Sequence, residues 1–142
     1  MNHFLMPVLA LIVWTFVIWA LMYKRRIPAM GKVSADAQDF IRQPDLMNQL
    51  PGPARWAADN YNHLHEQPTV FYALALVMFV TQQTGAANLY LAGTDVALRV
   101  IHSLVQVTSN RVLVRFSGFA LSSVVLMILT ARAVLGLLGQ SG

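Results

Sequence analysis

Four stretches of this chain are long, apolar and nearly free of charge, and shorter polar segments separate them. Residues 4–23 are twenty in a row without a charge. At ~1.5 Å of rise per residue that run reaches across a hydrocarbon core of ~30 Å. A second helix is predicted over about 54–81, polar in its first half and free of charge from Pro68 onward. A third spans about 89–108, and a fourth runs from 112 or 116 to 138. The pattern predicts an all-α integral membrane protein, a bundle of four transmembrane helices. Residues 1–142 form one domain, with a long polar loop over 24–53.

The breaks between runs have readable causes. Pro28, Gly31, Pro44, Pro51, Gly52 and Pro53 punctuate the long loop. Within it, residues 34–42 suit one short amphipathic helix with Ser34 as N-cap. Pro53 falls near a first helical turn, where proline is tolerated. Pro68 removes a hydrogen bond to the carbonyl of Leu64 and is expected to kink the second helix. The link 82–88 is short and uncharged.

The arginines and lysines fix a topology. Lys24, Arg25, Arg26, Lys32 and Arg42 sit in the first connection, and Arg111 and Arg115 in the third. Cytoplasmic loops carry the excess of Lys and Arg, so both basic connections are expected inside and both termini outside. A signal peptide would place its positive charges before the apolar run. Here they follow it, which favours an uncleaved first helix in a multi-pass protein.

Composition agrees. Hydrophobic residues make up 56% of the chain and charged ones 11%, against ~25% charged in soluble domains. The net charge of +4 is explained by loop topology, so the lipid bilayer and not nucleic acid is the expected partner. The chain has no cysteine. It therefore has no thiolate nucleophile and no Cys-based zinc site, and any thiol chemistry needs the thiol on a substrate.

Three groups of residues are candidates for chemistry. On helix two, Asp59, Asn62/His63 and Glu66 recur every three to four residues and share a face, with Arg55 one turn before Asp59. They suit a polar pocket wall for carboxylates, ammonium and amides, or a solvated helix start held by i,i+4 pairs. His63 and His65 are two apart and point ~200° apart on a helix, so no metal site is expected. On helix three, Asp95, Arg99, His102 and Gln106 follow one another at spacings of 4, 3 and 4, a single face. Ionisable groups at membrane depth are expensive, so that face should turn inward. It reads as a structural ion pair, or as a wall for an anionic ligand. Arg111 and Arg115 read as headgroup contacts or, together, as an anion site.

The order of these motifs resembles the MAPEG family, the membrane-associated proteins of eicosanoid and glutathione metabolism, and most of all its bacterial branch. The residues that carry the likeness are Asn60-Tyr61, Glu66-Gln67-Pro68-Thr69-Val70-Phe71-Tyr72-Ala73-Leu74, Leu98-Arg99-Val100-Ile101-His102-Ser103, and Asn110-Arg111-Val112 with Arg115-Phe116. The resemblance implies a homotrimer in a bacterial inner membrane, with glutathione as cosubstrate at the cytoplasmic side. It implies transfer of glutathione to lipophilic electrophiles, or reduction of lipid hydroperoxides. Asn62, His63, Glu66, Arg99 and His102 would hold glutathione, and Arg111 or Arg115 would stabilise its thiolate. The chain departs from the family's enzymes at Asp59 and His63, where an arginine and an asparagine are usual, and at His102 and Gln106, where the leukotriene C synthase type has tyrosines. Those departures motivate an alternative, a non-catalytic lipid-binding or scaffold protein on the same fold. An ion-coupled transporter built on Asp95, Arg99 and His102 is a third reading.

Overall fold

The computed structural model describes residues 3–140, and every regular element among them is helical. A 3-10 turn, His3–Leu5, leads into α1 (Met6–Val33). The long polar connection holds a short helix, α2 (Asp39–Arg42), and a 3-10 segment, Pro44–Gln49. Then come α3 (Gly52–His63), α4 (Gln67–Val80), α5 (Ala86–Thr108) and α6 (Val112–Gln140).

Among the described residues, two helical spans are long and apolar enough to cross a membrane: His3–Val33 and Val112–Gly139. Only 22% and 17% of their most apolar windows are buried. The core helix of a soluble protein would hide most of that surface, so these two face lipid, and the protein is an integral membrane protein. The other two arms fall short for local reasons. The α3–α4 arm is broken into segments of 12 and 14 residues. Helix α5 carries Asp95, Arg99, His102 and Gln106.

Each helix buries one face at helical spacing. Phe4, Leu11 and Ile18 face inward from the first arm, Phe71, Ala75 and Met78 from α4, and Leu126, Leu129 and Ala133 from α6. Helix α5 is turned inside out relative to a soluble helix. Asp95, Arg99, Ser103 and Gln106 are buried while Ile101 and Leu104 are exposed. In lipid this arrangement is favourable, because the solvent is apolar and the polar groups find partners in the protein.

Those partners tie three helices together. Arg99 Nε donates to Asp95 Oδ2 at 2.8 Å, with the two side chains 6% and 0% exposed. Arg99 Nη2 donates to Gln67 Oε1 at 3.2 Å, and the Gln67 amide exchanges hydrogen bonds with Ser123 Oγ at 3.0 and 3.1 Å. Helices α5 and α6 form the most extensive packing in the chain. Gly118 lies at this contact, where a Cβ would meet that of His102 at an ordinary 3.5 Å. Ser122, one turn on, is buried, and the small pair suits close helix contact.

The end of the bundle that carries Lys24–Arg26 and Arg115 is called the basic end below. Here the first helix departs from expectation. It runs to Val33 instead of stopping at Tyr23, so Lys24, Arg25 and Arg26 lie within it. Lys, Arg, Met and Ala are good helix formers, and the interior Pro28 is accommodated within the helix. A small second core of Ala29, Phe40, Leu50 and Ala54 holds this extension against the polar connection and α3. Ser34 is not the N-cap of a helix over 34–42. It is extended at the C-cap of α1, where its N–H donates to Met30 O at 3.0 Å and its hydroxyl to Asp39 Oδ2 at 2.7 Å. Asp36 Oδ1 accepts the Gln38 N–H at 2.9 Å, a local turn that delays the helix to Asp39.

The second arm is broken rather than kinked. Glu66 has φ −91° and ψ −103°, outside the helical region, and α4 restarts with Pro68 in its first turn. At the opposite end, Gln82 adopts φ 59°. Gln83 N–H then reaches Met78 O at 2.8 Å and Gln82 N–H reaches Phe79 O at 3.1 Å, which closes α4 in a Schellman turn. Gln83 Nε2 donates to Ala133 O at 3.1 Å, Asn88 Nδ2 to Gln83 O at 2.9 Å, and Arg132 Nε to Asn88 Oδ1 at 2.6 Å. Arg132 thereby pins the start of α5 to α6.

Removing one partner of a buried ion pair leaves the other charge uncompensated, at a cost of roughly 3–5 kcal/mol. Asp95→Leu is expected to lower stability by about that amount in detergent thermal unfolding. The double variant Asp95→Leu with Arg99→Leu should recover much of the loss. Equal stability of the single and double variants would show that the pair does not anchor the bundle.

Candidate functional site

Two polar volumes lie toward the basic end. The larger is an open cavity of about 590 Å³. Helix α3 supplies one wall through Arg55, Asp59 and Asn62, which stand one turn apart on a single face. Ala54, Ala57, Ala58 and Asn60 of α3 are buried, Ala54 and Ala58 beneath the same cavity and Asn60 toward the core. The extension of α1 brings Arg26 to the same cavity, the turn between α5 and α6 brings Asn110, and the start of α6 brings Arg115.

Several contacts hold these walls in place. Arg25 Nη1 donates to Val107 O at 2.7 Å and lies 3.4 Å from Pro53 O. It thereby satisfies a terminal carbonyl of α5 and ties α1 to the start of α3. Asn110 takes φ 47°, a left-handed conformation that asparagine tolerates better than most residues. That turn puts Asn110 Oδ1 2.7 Å from Arg115 Nη1.

The charge balance of the cavity is uneven. Its wall carries Arg26, Arg55 and Arg115 against one carboxylate, Asp59, which leaves two positive charges in excess. The ion pairs among the described residues are Arg42 with Asp36 and Asp39, His63 with Glu66, and Arg99 with Asp95. None of the three cavity arginines is in that set, and Arg55 and Asp59 do not pair although one turn separates them. Arginines without carboxylate partners have the chemistry to hold an anion, because their N–H groups match carboxylates in bidentate geometry.

The smaller volume is a narrow, partly open chamber of about 20 Å³ between α3, α5 and α6, with the exposed His63 at its wall. Asn60, His63, Arg99, His102, Ser103 and Ser122 are on its wall. His102 Nδ1 lies 2.8 Å from Arg115 O, His63 Nδ1 lies 3.1 Å from Glu66 Oε2, and the two rings stand 6.1 Å apart. Asn60 Nδ2 donates to Gln106 Oε1 at 2.8 Å.

The candidate residues thus divide. Asn62 and Arg115 reach the cavity, and His63, Arg99 and His102 reach the chamber. Glu66 is exposed, lines neither volume and pairs with His63. Arg111 is exposed and lines neither. Arg55 and Asp59, which also suit a solvated helix start, belong to the cavity wall. Arg26 and Asn110 are members that sequence reasoning did not single out. The first was absorbed by topology. The second stood in a quoted motif, Asn110-Arg111, without a role.

Comparison with known proteins gives one relation. Residues 4–135 match the model of the MAPEG family, nearly the whole chain. No curated protein matches, and neither does any solved structure.

The Asn110 turn separates two effects. Asn110→Ala is expected to lower stability by about 1–2 kcal/mol, through strain in the left-handed region and loss of the Arg115 contact. Asn110→Gly should recover the backbone part alone. Equal melting temperatures for the alanine and glycine variants would show that the backbone conformation contributes nothing.

Proposed function

This chain belongs to the MAPEG family, and on that premise we propose that it is a membrane glutathione-dependent transferase or peroxidase acting on lipophilic electrophiles or hydroperoxides. One observation carries the reading: three arginines without carboxylate partners share a cavity with Asp59, Asn62 and Asn110. Glutathione presents two carboxylates, one ammonium, two amides and a thiol. Arg26 and Arg55 suit the carboxylates, Asp59 the ammonium, and Asn62 and Asn110 the amides. Arg115 is left for the thiolate. It is half-buried and held by Asn110, so its charge is set in place before the ligand arrives.

The chemistry asked of Arg115 is modest in size. Lowering a thiol pKa from about 8.5 to about 6.5 takes ~2.7 kcal/mol of preferential stabilisation of the anion. The thiolate then attacks an electrophilic carbon, forming a thioether as the leaving group departs with its electron pair. With a hydroperoxide it attacks the O–O bond, releasing an alcohol and a glutathione sulfenic acid. A second glutathione condenses with that acid to a disulfide and water.

In this reading the binding set shifts toward α3 and the α5–α6 turn. Arg99 holds helices together, and Arg111 meets lipid headgroups. The α3–α4 arm and α5 complete four spans, and the basic end faces the cytoplasm, as the distribution of lysine and arginine supports. The assembly in this reading is a homotrimer, as membership of the family supports.

The test is titration calorimetry with glutathione on the detergent-purified protein, with turnover of chlorodinitrobenzene and of a lipid hydroperoxide. Arg55→Ala and Arg115→Ala are each expected to weaken glutathione binding on the order of tenfold or more. Arg115→Ala should also reduce turnover at saturating glutathione, and Arg111→Ala should leave both unchanged. A wild-type protein that neither binds glutathione nor turns over would overturn the proposal and favour the lipid-binding alternative.

A further inference from the structure

The small chamber between α3, α5 and α6 contains polar atoms whose bonding is incomplete. Asn60 and Ser103 are both fully buried. Neither Asn60 Oδ1 nor Ser103 Oγ has a hydrogen-bond partner, and Gln106 Nε2 beside them has none either. Asn60 and Gln106 share one bond of 2.8 Å, which leaves the Asn60 oxygen and the Gln106 nitrogen without a partner. An unpaired buried polar atom costs about 1–3 kcal/mol, and more than one here is unpaired.

We infer that the chamber is a binding site for one structural water, bridging Asn60, Ser103 and Arg99 inside the bundle. The volume of about 20 Å³ exceeds the ~10–15 Å³ that a water requires, and buried waters typically make about three hydrogen bonds. Asn60 offers an acceptor, Ser103 a hydroxyl that can donate or accept, and Arg99 further N–H donors. Arg99 has five such donors, and the contacts to Asp95 and Gln67 occupy Nε and one Nη2 hydrogen. The occupant is neutral. Asp95 already neutralises Arg99 at 2.8 Å, so a small anion would find no uncompensated charge from that arginine. The water joins α3 to α5 and completes the polar seam, whether or not glutathione binds at the cavity.

X-ray hydroxyl-radical labelling of the detergent-purified protein in ¹⁸O water tests this, because radicals formed from a bound water oxidise the side chains beside it. Leu64 and Pro68 line the chamber and are buried. Both are expected to be labelled several-fold above Leu11, which is as inaccessible but lies elsewhere in the core. Ser103→Val, and independently Ser122→Val from α6, fill the chamber and should abolish that labelling. Labelling of Leu64 and Pro68 no greater than that of Leu11 would mean a dry chamber and overturn the inference. So would labelling that persists in a folded filled variant, because the radicals would then come from bulk solvent.

Discussion

An ion pair buried on one face of a helix whose opposite face is apolar is the constraint on which this fold turns. Asp95 and Arg99 lie one turn apart on α5 and are both buried. Neither charge tolerates hydrocarbon alone, so their face must be enclosed by protein. Enclosure draws in the other polar side chains at the same depth. Gln67 bonds Arg99, Ser123 bonds Gln67, and Asn60 bonds Gln106 two turns away. The apolar positions of α5 are then free to face outward. The order of faces is set less by hydrophobic collapse than by the need to keep one polar stripe out of lipid.

The break in the second arm follows from the same division of solvents. Helix α3 is polar and short, and its outward face belongs to an aqueous cavity. Helix α4 is uncharged and crosses apolar surroundings. A continuous helix would force one axis on both. The non-helical Glu66 and the proline start of α4 let each take its own direction. The extension of α1 past its apolar run completes the arrangement, because Arg25 reaches the end of α5 while Arg26, its neighbour, reaches the cavity.

Much of this was legible in the chain. Apolar runs mark the arms, and the spacing of Asp95, Arg99, His102 and Gln106 marks a single inward face. The spacing also places Asp59 and Asn62 together on α3. What periodicity cannot supply is the partner across a gap. That Arg26 meets Arg55 and Arg115 depends on α1 continuing to Val33. A rule that ends a span at its first charged cluster conceals that continuation. Propensity alone permits it, but the small core around Phe40 and Leu50 is what secures it. Asn110 was illegible as a site residue because its contribution is conformational: a left-handed turn aims its side chain at Arg115. Glu66 stands apart from the cavity wall for a related reason. The helical face drawn through Asp59, Asn62 and Glu66 assumes an unbroken helix, and the chain leaves the helix after His63.

Two kinds of arginine can therefore be told apart by their counter-charges. Arg99 is matched by Asp95 at 2.8 Å and by Gln67 at 3.2 Å. An incoming anion would have to compete with a carboxylate that cannot leave and is itself costly to strand. Arg26, Arg55 and Arg115 have no carboxylate bound, and their cavity is open to water. An anion entering there gains charge-assisted hydrogen bonds of about 1.5–3 kcal/mol each without displacing an existing ion pair. The asymmetry is energetic and does not depend on which residues a sequence motif highlights. On the proposed reading, the conspicuous arginine of α5 belongs to architecture, while Arg26 and Arg115, which also read as topology signals, join Arg55 in binding.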